Sequence, residues 1–288
     1  MAQLFSVRIF IPVLLLLMSG AAFAAGGHQL PLYPESPFTE GSGFTWISNS
    51  MIMVWLAAAI IVVFCRVATK KMALIPSGVQ NLAEWLVEGL YDFFGNILGE
   101  HLVKRTFWFF GATFLLILVV NYLGLIPGVG TMGTTDAHGH FKGLLRGGNA
   151  DLNMTAAMSI TFFLLWLYWS FTEIGVKNFF AHIFAPQGTF TGFMKIGMIV
   201  MFFLVGILEV VSIFIRPVAL SFRLFGNIYG GEQTLEGLMA LVPIEKLAFL
   251  PALPFYFMEL LVGLVQALVF TLLCAVFLKL MCSHSEEH

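Results

Sequence analysis

Long stretches without a charged residue constrain this chain more than any other feature. Residues 41–65 and residues 106–135 contain no Asp, Glu, Lys or Arg. A helix needs roughly 20 consecutive apolar residues to cross a bilayer, so each stretch is long enough to span. A membrane β-barrel would instead alternate polar and apolar residues in segments of about 10, and a run such as MVWLAAAIIVVFC does not alternate. The pattern therefore predicts membrane-spanning helices.

The composition agrees with a membrane protein. Of the 288 residues, 59% are hydrophobic and only 10% are charged, whereas a soluble domain carries roughly 25% charged residues. We therefore expect an all-α integral membrane protein. The net charge of −2, without a basic cluster, predicts no nucleic-acid partner. Three scattered cysteines without CxxC spacing predict neither a disulfide framework nor a metal site.

The first residues have the anatomy of a secretory signal peptide. Arg8 precedes the apolar run IFIPVLLLLM, and Ala22 and Ala24 form an A-x-A arrangement after it. We expect residues 1–24 to be a cleaved signal peptide and residues 25–44 to be an external segment. The alternative is an uncleaved first span, although ten apolar residues are short for one. Residues 45–288 would then form a single polytopic membrane domain.

Five membrane crossings are predicted, at about residues 45–65, 107–128, 151–171, 193–241 and 248–281. The last two stretches exceed the length needed for one crossing, so we expect them to form a long, tilted helical hairpin. Arg66, Lys70 and Lys71 follow the first span at once, which places its end on the cytoplasmic side. This orientation gives an external N-terminus and a cytoplasmic C-terminus.

An amphipathic segment lies between the first two spans. Ser77 and Gln80 have the S-x-x-Q form of a capping box, which predicts the start of a helix. Glu84, Glu88 and Asp92 recur every four residues on one face, and apolar residues fall on another. We expect such a helix to lie along the membrane interface rather than to cross the membrane.

Two connecting segments carry weaker signals. The loop at residues 128–150 holds His138 and His140, whose spacing suits a metal ion, but no third ligand is near and we expect a solvated loop. Residues 173–192 contain Lys177 and His182 and are expected to be cytoplasmic.

The first helix of the predicted hairpin holds three charged residues at intervals of seven: Glu209, Arg216 and Arg223. Residues at that interval share one helix face. An ionisable residue inside a membrane costs about 2.5–3.5 kcal/mol on insertion scales, so each calls for an explanation. The side chains of Glu209 and Arg216 can reach toward each other or toward the interface, and we expect a structural ion pair.

Arg223 differs from the other two because no acidic residue lies within four positions on either side. Asn227 follows one helical turn later and can orient the guanidinium by a hydrogen bond. Glu232 lies about 13 Å further along the axis and on the opposite face. The counter-charge of Arg223 is therefore expected from the second helix of the hairpin or from another subunit. The alternative is an internally paired structural arginine.

The second helix of the hairpin carries Glu259 and Gln266 on one face. Glu259 is surrounded by apolar residues, a setting in which a carboxyl can exchange protons near neutral pH. Glu232 and Glu259 both lie about a dozen residues from the predicted turn, so they can face each other and titrate as a coupled pair. The alternative is that each only lines a water pocket.

Together these residues suggest an ion-translocating stator. A fixed cation in the membrane makes an approaching carboxyl release its proton. Carboxyls at different depths can line aqueous paths from either side, and a cation between two such paths prevents a direct leak. Glycines at 226, 230 and 231 remove side chains near Arg223 and allow another helix to come close.

The run RPVALSFRLFGNIYGGE resembles the core signature of subunit a of bacterial F-type ATP synthases. The resemblance extends to the ADLNMT segment, to Gln266 and to the closing SEEH. It implies that Arg223 faces a carboxyl on each subunit of a rotating c-ring. It also implies that Asn227, Glu232 and Gln266 lie at the half-channels and the ring interface.

The resemblance has further implications for this chain. Asp151 and Asn153 match polar residues near the external inlet. The implied partners are c-ring proteolipid subunits, b-type peripheral stalk subunits, membrane lipid and, indirectly, the catalytic headpiece. The resemblance implies no cofactor. It also implies a location in the bacterial inner membrane. Two departures concern proton uptake: Glu259 stands where some relatives have a histidine, and Gly124 stands where some have an acid.

Two other functions predict different sequence features. A free-standing secondary transporter with Arg223 in an anion site would be expected to show an internal repeat, and none is evident. A cytochrome-like redox subunit would need histidine ligands within its spans. None of the seven histidines lies in a predicted span. The chain also has no phosphate-binding loop, so we expect no catalysis by this chain alone.

Overall fold

The structure of the chain is a computed structural model. It describes residues 36–37, 47–70, 72–126, 129, 133–135, 141–184, 193–241 and 249–283. The predicted signal peptide, most of the external segment, the two loop histidines, the turn of the hairpin and the C-terminal tail lie outside the described residues.

The described elements are mostly helices. In chain order they are α1 (Asn49–Thr69), α2 (Val79–Leu98), α3 (Glu100–Gly124), β1 (Gly133–Thr135), β2 (Phe141–Gly143), a 3-10 turn (Gly148–Ala150), α4 (Leu152–Ile174), α5 (Val176–Phe184), α6 (Phe193–Ala240) and α7 (Phe249–Ser283). The two short strands pair antiparallel, with Gly133 opposite Gly143. The sequence reasoning anticipated neither this small hairpin nor the 3-10 turn.

Five described helices are long and apolar enough to cross a membrane: α1, α3, α4, α6 and α7. This number confirms the predicted fold class and the predicted count of crossings. Helix α6 has 48 residues, and at 1.5 Å per residue such a helix is about 72 Å long. The hydrocarbon core of a bilayer is only about 30 Å thick. The tilt of the hairpin stays a prediction.

The helix boundaries differ from the predicted ones by a few residues. Ser48 caps α1 by accepting a hydrogen bond from the backbone N–H of Met51. Helix α3 begins at Glu100, six residues before the uncharged stretch, because the charged residues at its start remain helical. It ends at Gly124, three residues before Pro127 in the sequence. The span predicted at residues 107–128 therefore began and ended a few residues too late.

The predicted capping box of α2 is wrong. The N-cap is Gly78, and no side chain caps the first turn. The Gln80 side chain bonds the backbone of Ala73 and the carboxylate of Glu84 instead, because the turn before the helix lies within its reach. The acidic stripe is exposed as expected, and one end of the helix buries Phe94 and Leu98.

An aromatic cluster joins α2, α3 and α4. Phe94 stacks on Phe110 with ring centroids 5.4 Å apart. Phe109 meets Trp169 of α4 edge to face at 5.8 Å and lies parallel to Phe162 at 6.3 Å. Aromatic pairs of this kind contribute about 0.5–1.5 kcal/mol beyond their burial. The cluster fixes α2 and α4 against α3.

Polar contacts fix both ends of the helices. At one end the Arg105 guanidinium pairs with Glu173, and Nδ1 of His101 lies 3.8 Å from the same carboxylate, which joins the start of α3 to the end of α4. At the other end the Ser50 hydroxyl donates to Oδ2 of Asp151 at 2.5 Å, which joins the starts of α1 and α4. The bond between Ser50 and Asp151 holds the end of the loop before α4 against α1.

Candidate functional site

Arg223 lies on the outer surface of α6. Its side chain is exposed, and no hydrogen bond or ion pair from the described part of the chain reaches it. Arg223 has no ion-pair partner there because the neighbouring positions on the same face of α6 carry no acidic residue. The prediction that Arg223 lacks a neutralising partner within its own chain therefore agrees with the residues that the structure describes.

The surface around Arg223 is open. Gly226 and Gly230 lie on the same side of α6, and a Cβ added to either would meet nothing within 4 Å. Asn227 is also exposed, and no hydrogen bond joins it to Arg223. The expected orienting bond is absent from the described chain, so Asn227 is available to groups outside it.

Glu232 and Glu259 are brought together, as the sequence predicted. Both line one small cavity, which has room for about one water molecule. Glu259 is buried at 4% exposure, and Oε1 of Glu259 has no hydrogen-bond partner among the described residues. A Cβ on Gly231 would lie 2.2 Å from that oxygen. The glycine therefore makes room on α6 for the carboxyl of α7.

The rest of the cavity comes from the C-terminal end of α3, from the loop before α4 and from Ile228 of α6. Its lining consists of Val120, Asn121, Gly124, Leu125, Gly147, Asn149, Ile228, Glu232 and Glu259. Gly124 matters because its Cβ position would lie 3.2 Å from the Cα of Gly147. The loop therefore approaches α3 closely at that point.

Two buried amides support the cavity. Nδ2 of Asn121 donates to the carbonyl of Gly263 at 2.9 Å, which links α3 to α7. Nδ2 of Asn149 donates to Oδ1 of Asn121 at 2.7 Å, which links the loop to α3. Sequence reasoning missed both residues. A polar residue in the apolar run LLILVVNYLG was the signal for Asn121.

The loop before α4 corrects one expectation. Residues 146–150 are all buried, so this end of the predicted solvated loop lies inside the protein. Arg146 is 4% exposed and donates from Nη2 to the carbonyl of Ala150 at 3.3 Å. Sequence reasoning missed Arg146. A positive charge on the predicted external side, where basic residues are less frequent, was the available signal.

Asp151 and Asn153 lie next to the cavity but do not line it. Asp151 is the N-cap of α4, and Oδ1 of Asp151 accepts a hydrogen bond from the backbone N–H of Asn153 at 2.9 Å. Asp151 is buried, whereas the Asn153 side chain is exposed. Asp151 therefore caps α4 and links it to Ser50 of α1. Asn153 does not line the cavity that the two glutamates share.

The predicted ion pair in α6 is present. Nη2 of Arg216 lies 2.9 Å from Oε1 of Glu209, and the Arg216 guanidinium also lies 5.0 Å from the centre of the Phe277 ring of α7. Gln266 is half-buried on α7, outside the cavity lining. The described residues therefore form two separate polar regions, one on each side of Arg223 along α6.

The family model of the ATP synthase A chain matches residues 51–279. The chain belongs to this family. Subunit a of the ATP synthase of Solidesulfovibrio magneticus is 31% identical over 240 residues, 83% of this chain and 87% of the relative. The corresponding protein of Trichlorobacter lovleyi is 34% identical over 233 residues, 81% and 86% of the two chains. That of Aliarcobacter butzleri is 30% identical over 250 residues, 86% and 94%.

Family membership confirms the predicted function. The chain is a proton-channel stator subunit of the membrane sector of the ATP synthase, and it is a multi-pass membrane protein. A free-standing secondary transporter finds no support in these relatives. The roles of single residues do not follow from the family match.

Proposed function

We propose that Arg223 is the fixed cation of this stator subunit and faces, one at a time, the carboxyls of a rotating c-ring. The observation that carries the proposal is the exposure of Arg223, unpaired within the described chain, on a helix that is long enough to cross a membrane. A charge inside a membrane costs about 2.5–3.5 kcal/mol, so a partner from outside the chain is expected.

The open surface supports a close approach by the ring. Gly226 and Gly230 expose the backbone of α6, and small residues of this kind let two helices pack closely. Asn227 would lie at this interface and donate to or accept from a ring carboxyl. The chain would also contact b-type stalk subunits and membrane lipid. The stalk subunits would connect it indirectly to the catalytic headpiece.

Glu232 and Glu259 would carry protons between the external side and the ring. A carboxyl accepts a proton from water on one side and gives it to the next group on the other. Their shared cavity supports such a relay, because a single water can bridge the unpartnered oxygens. Gln266 would line the path toward the ring, and Asp151 and Asn153 would frame the inlet.

The distribution of basic residues supports the orientation. Arg66 and Lys70 lie at the end of α1, Lys104 and Arg105 lie near the start of α3, and Lys177 lies in α5. All five lie at the end of the bundle opposite the cavity. Basic residues mark the cytoplasmic side, so the cavity would open toward the outside of a bacterial inner membrane and the C-terminus would be cytoplasmic.

The test is ATP-driven proton pumping and passive proton leak in membranes that carry the assembled complex. Arg223→Ala is expected to abolish pumping while the complex still assembles, and to raise the leak, because no cation then separates the two paths. Arg66→Ala is the matched control, since Arg66 is exposed at the end of α1 and away from the site. Retained pumping by Arg223→Ala would mean that Arg223 is not the coupling cation.

A further inference from the structure

Two hydrogen bonds tie the end of α3 to α7 on either side of Glu259. The Tyr256 hydroxyl donates to the backbone carbonyl of Leu125 at 2.5 Å. Nδ2 of Asn121 donates to the carbonyl of Gly263 at 2.9 Å. Tyr256 lies three residues before Glu259 and Gly263 lies four residues after it, so all three lie on one face of α7. The Glu259 carboxyl is therefore bracketed along α7 by two fixed points.

The carboxyl of Glu259 is not held by hydrogen bonds of its own. Oε1 has no partner among the described residues, and no hydrogen bond or ion pair from that part of the chain reaches Oε2. The carboxyl is nevertheless confined, because a Cβ on Gly231 of α6 would lie 2.2–2.3 Å from Oε1, Cδ and Oε2. The place of this carboxyl therefore depends on how α7 is held against the neighbouring helices.

The Tyr256 bond lies where α3 ends. Leu125 is the C-cap of α3, and the last carbonyls of a helix have no partner within that helix. An unpaired backbone carbonyl is costly inside a membrane, and the Tyr256 hydroxyl satisfies this one. Leu125 lines the cavity, whereas Tyr256 does not. The tyrosine therefore fixes α7 against the cavity wall without forming part of that wall.

We propose that Tyr256 is a positioning residue of the proton relay, whose bond to the end of α3 keeps the Glu259 carboxyl in the cavity that it shares with Glu232. Without this bond, the turn of α7 before Glu259 is free to move away from α3, and the carboxyl moves with it. The bond at Gly263 then holds α7 on one side of the carboxyl only. The proposal rests on the proposed function of Glu232 and Glu259 as a proton relay.

The first measurement is ATP-driven proton pumping per assembled complex in Tyr256→Phe, which removes the hydroxyl and keeps the ring. Pumping is expected to be at least about fivefold slower than in the wild type, the factor that one hydrogen bond of ordinary net strength represents. Tyr168→Phe is the matched control, because the Tyr168 side chain is exposed on α4 and makes no hydrogen bond within the described chain. Pumping by Tyr256→Phe at the rate of the wild type, or failure of that variant to assemble, would overturn the proposal.

A double variant tests whether Tyr256 acts through Glu259. Glu259→Asp keeps a carboxyl but withdraws it by one methylene, so its place no longer depends on the tyrosine in the same way. Adding Tyr256→Phe to Glu259→Asp is therefore expected to slow pumping by less than about twofold, because two changes that act through one group are not additive. The same fivefold loss in both backgrounds would mean that Tyr256 supports the fold independently of Glu259, which would overturn the proposal.

The pH profile of pumping separates positioning from a general loss of structure. The titratable groups on the elements packed around this part of α7 are Glu232 and Glu236 of α6, Arg146 of the loop and Tyr122 of α3. Tyr256→Phe leaves all of them in place and changes the surroundings of Glu259, so the pH of half-maximal pumping is expected to shift by at least about half a unit. A rate lowered equally at every pH would contradict positioning. Failure of the relay itself has a different signature, because Glu259→Gln would then pump as fast as the wild type.

Discussion

Gly231→Ala tests whether the position of the Glu259 carboxyl matters for proton transport. The new Cβ would lie 2.2–2.3 Å from Oε1, Cδ and Oε2 of Glu259, whereas ordinary contact begins at 3.4 Å. Because all three carboxyl atoms are too close, rotation of the carboxyl alone cannot relieve the overlap. Either the Glu259 side chain changes rotamer or α6 and α7 separate locally.

The size of the effect follows from this geometry. The carboxyl has to move by about 1 Å, and a misplacement of that size at a reacting group can cost about 10²-fold in rate. The stability cost of overpacking is about 1–3 kcal/mol. It is partly offset by about 1 kcal/mol, because alanine is a better helix former than glycine. We therefore expect a large loss of transport with a small loss of stability.

The assay is ATP-driven proton pumping per assembled complex, together with thermal unfolding of the complex. Gly231→Ala is expected to pump at least about tenfold more slowly than the wild type. Gly197→Ala is the matched control, because Gly197 lies in the same helix and a Cβ there meets nothing within 4 Å. Pumping by Gly231→Ala at the rate of the wild type would refute the link between the place of Glu259 and transport.

Two further variants test the contacts that support the site. Ser50→Ala removes the hydroxyl that donates to the buried carboxylate of Asp151. It is expected to lower the free energy of unfolding by about 1–3 kcal/mol in thermal or denaturant unfolding, and an unchanged transition would contradict that bond. Arg216→Ala is expected to destabilise the complex more than Glu209→Gln, because only the arginine also packs on an aromatic ring of α7. Equal transition temperatures for the two variants would refute this order.

The charged residues within long apolar runs could be singled out from the sequence. Placing a charge inside a membrane costs free energy, so each such residue calls for a structural or functional explanation. Arg223, Glu232 and Glu259 stand out in this way, and the pairing of the two glutamates follows from equal distances to the turn of a hairpin. The ion pair of Glu209 and Arg216 follows from helical periodicity alone. These inferences need only the length of a span and the geometry of a helix.

The contribution of the loop before α4 was not predictable by the same means. Arg146 and Asn149 belong to a segment whose composition is that of a surface loop, and their burial depends on which helices close around them. The glycines at 147 and 148 permit that close packing, since a Cβ at either would overlap with a neighbour. Such an overlap is a tertiary property, and no local pattern of residues encodes it.

The continuous run of α6 has a mechanical consequence. Arg223 lies 30 residues after the first residue of the helix and 17 before the last, so about 45 Å and 26 Å of helix extend on its two sides. Phe214 of α6 meets Phe163 of α4 with ring centroids 5.5 Å apart, and Gly206 lies against Phe184 of α5. In the proposed function, a rotor that pulls on the Arg223 guanidinium exerts a bending force on α6, which is held by its contacts with α4 and α5. The bending stiffness of α6 then limits how much of the work of rotation is lost in deforming the helix.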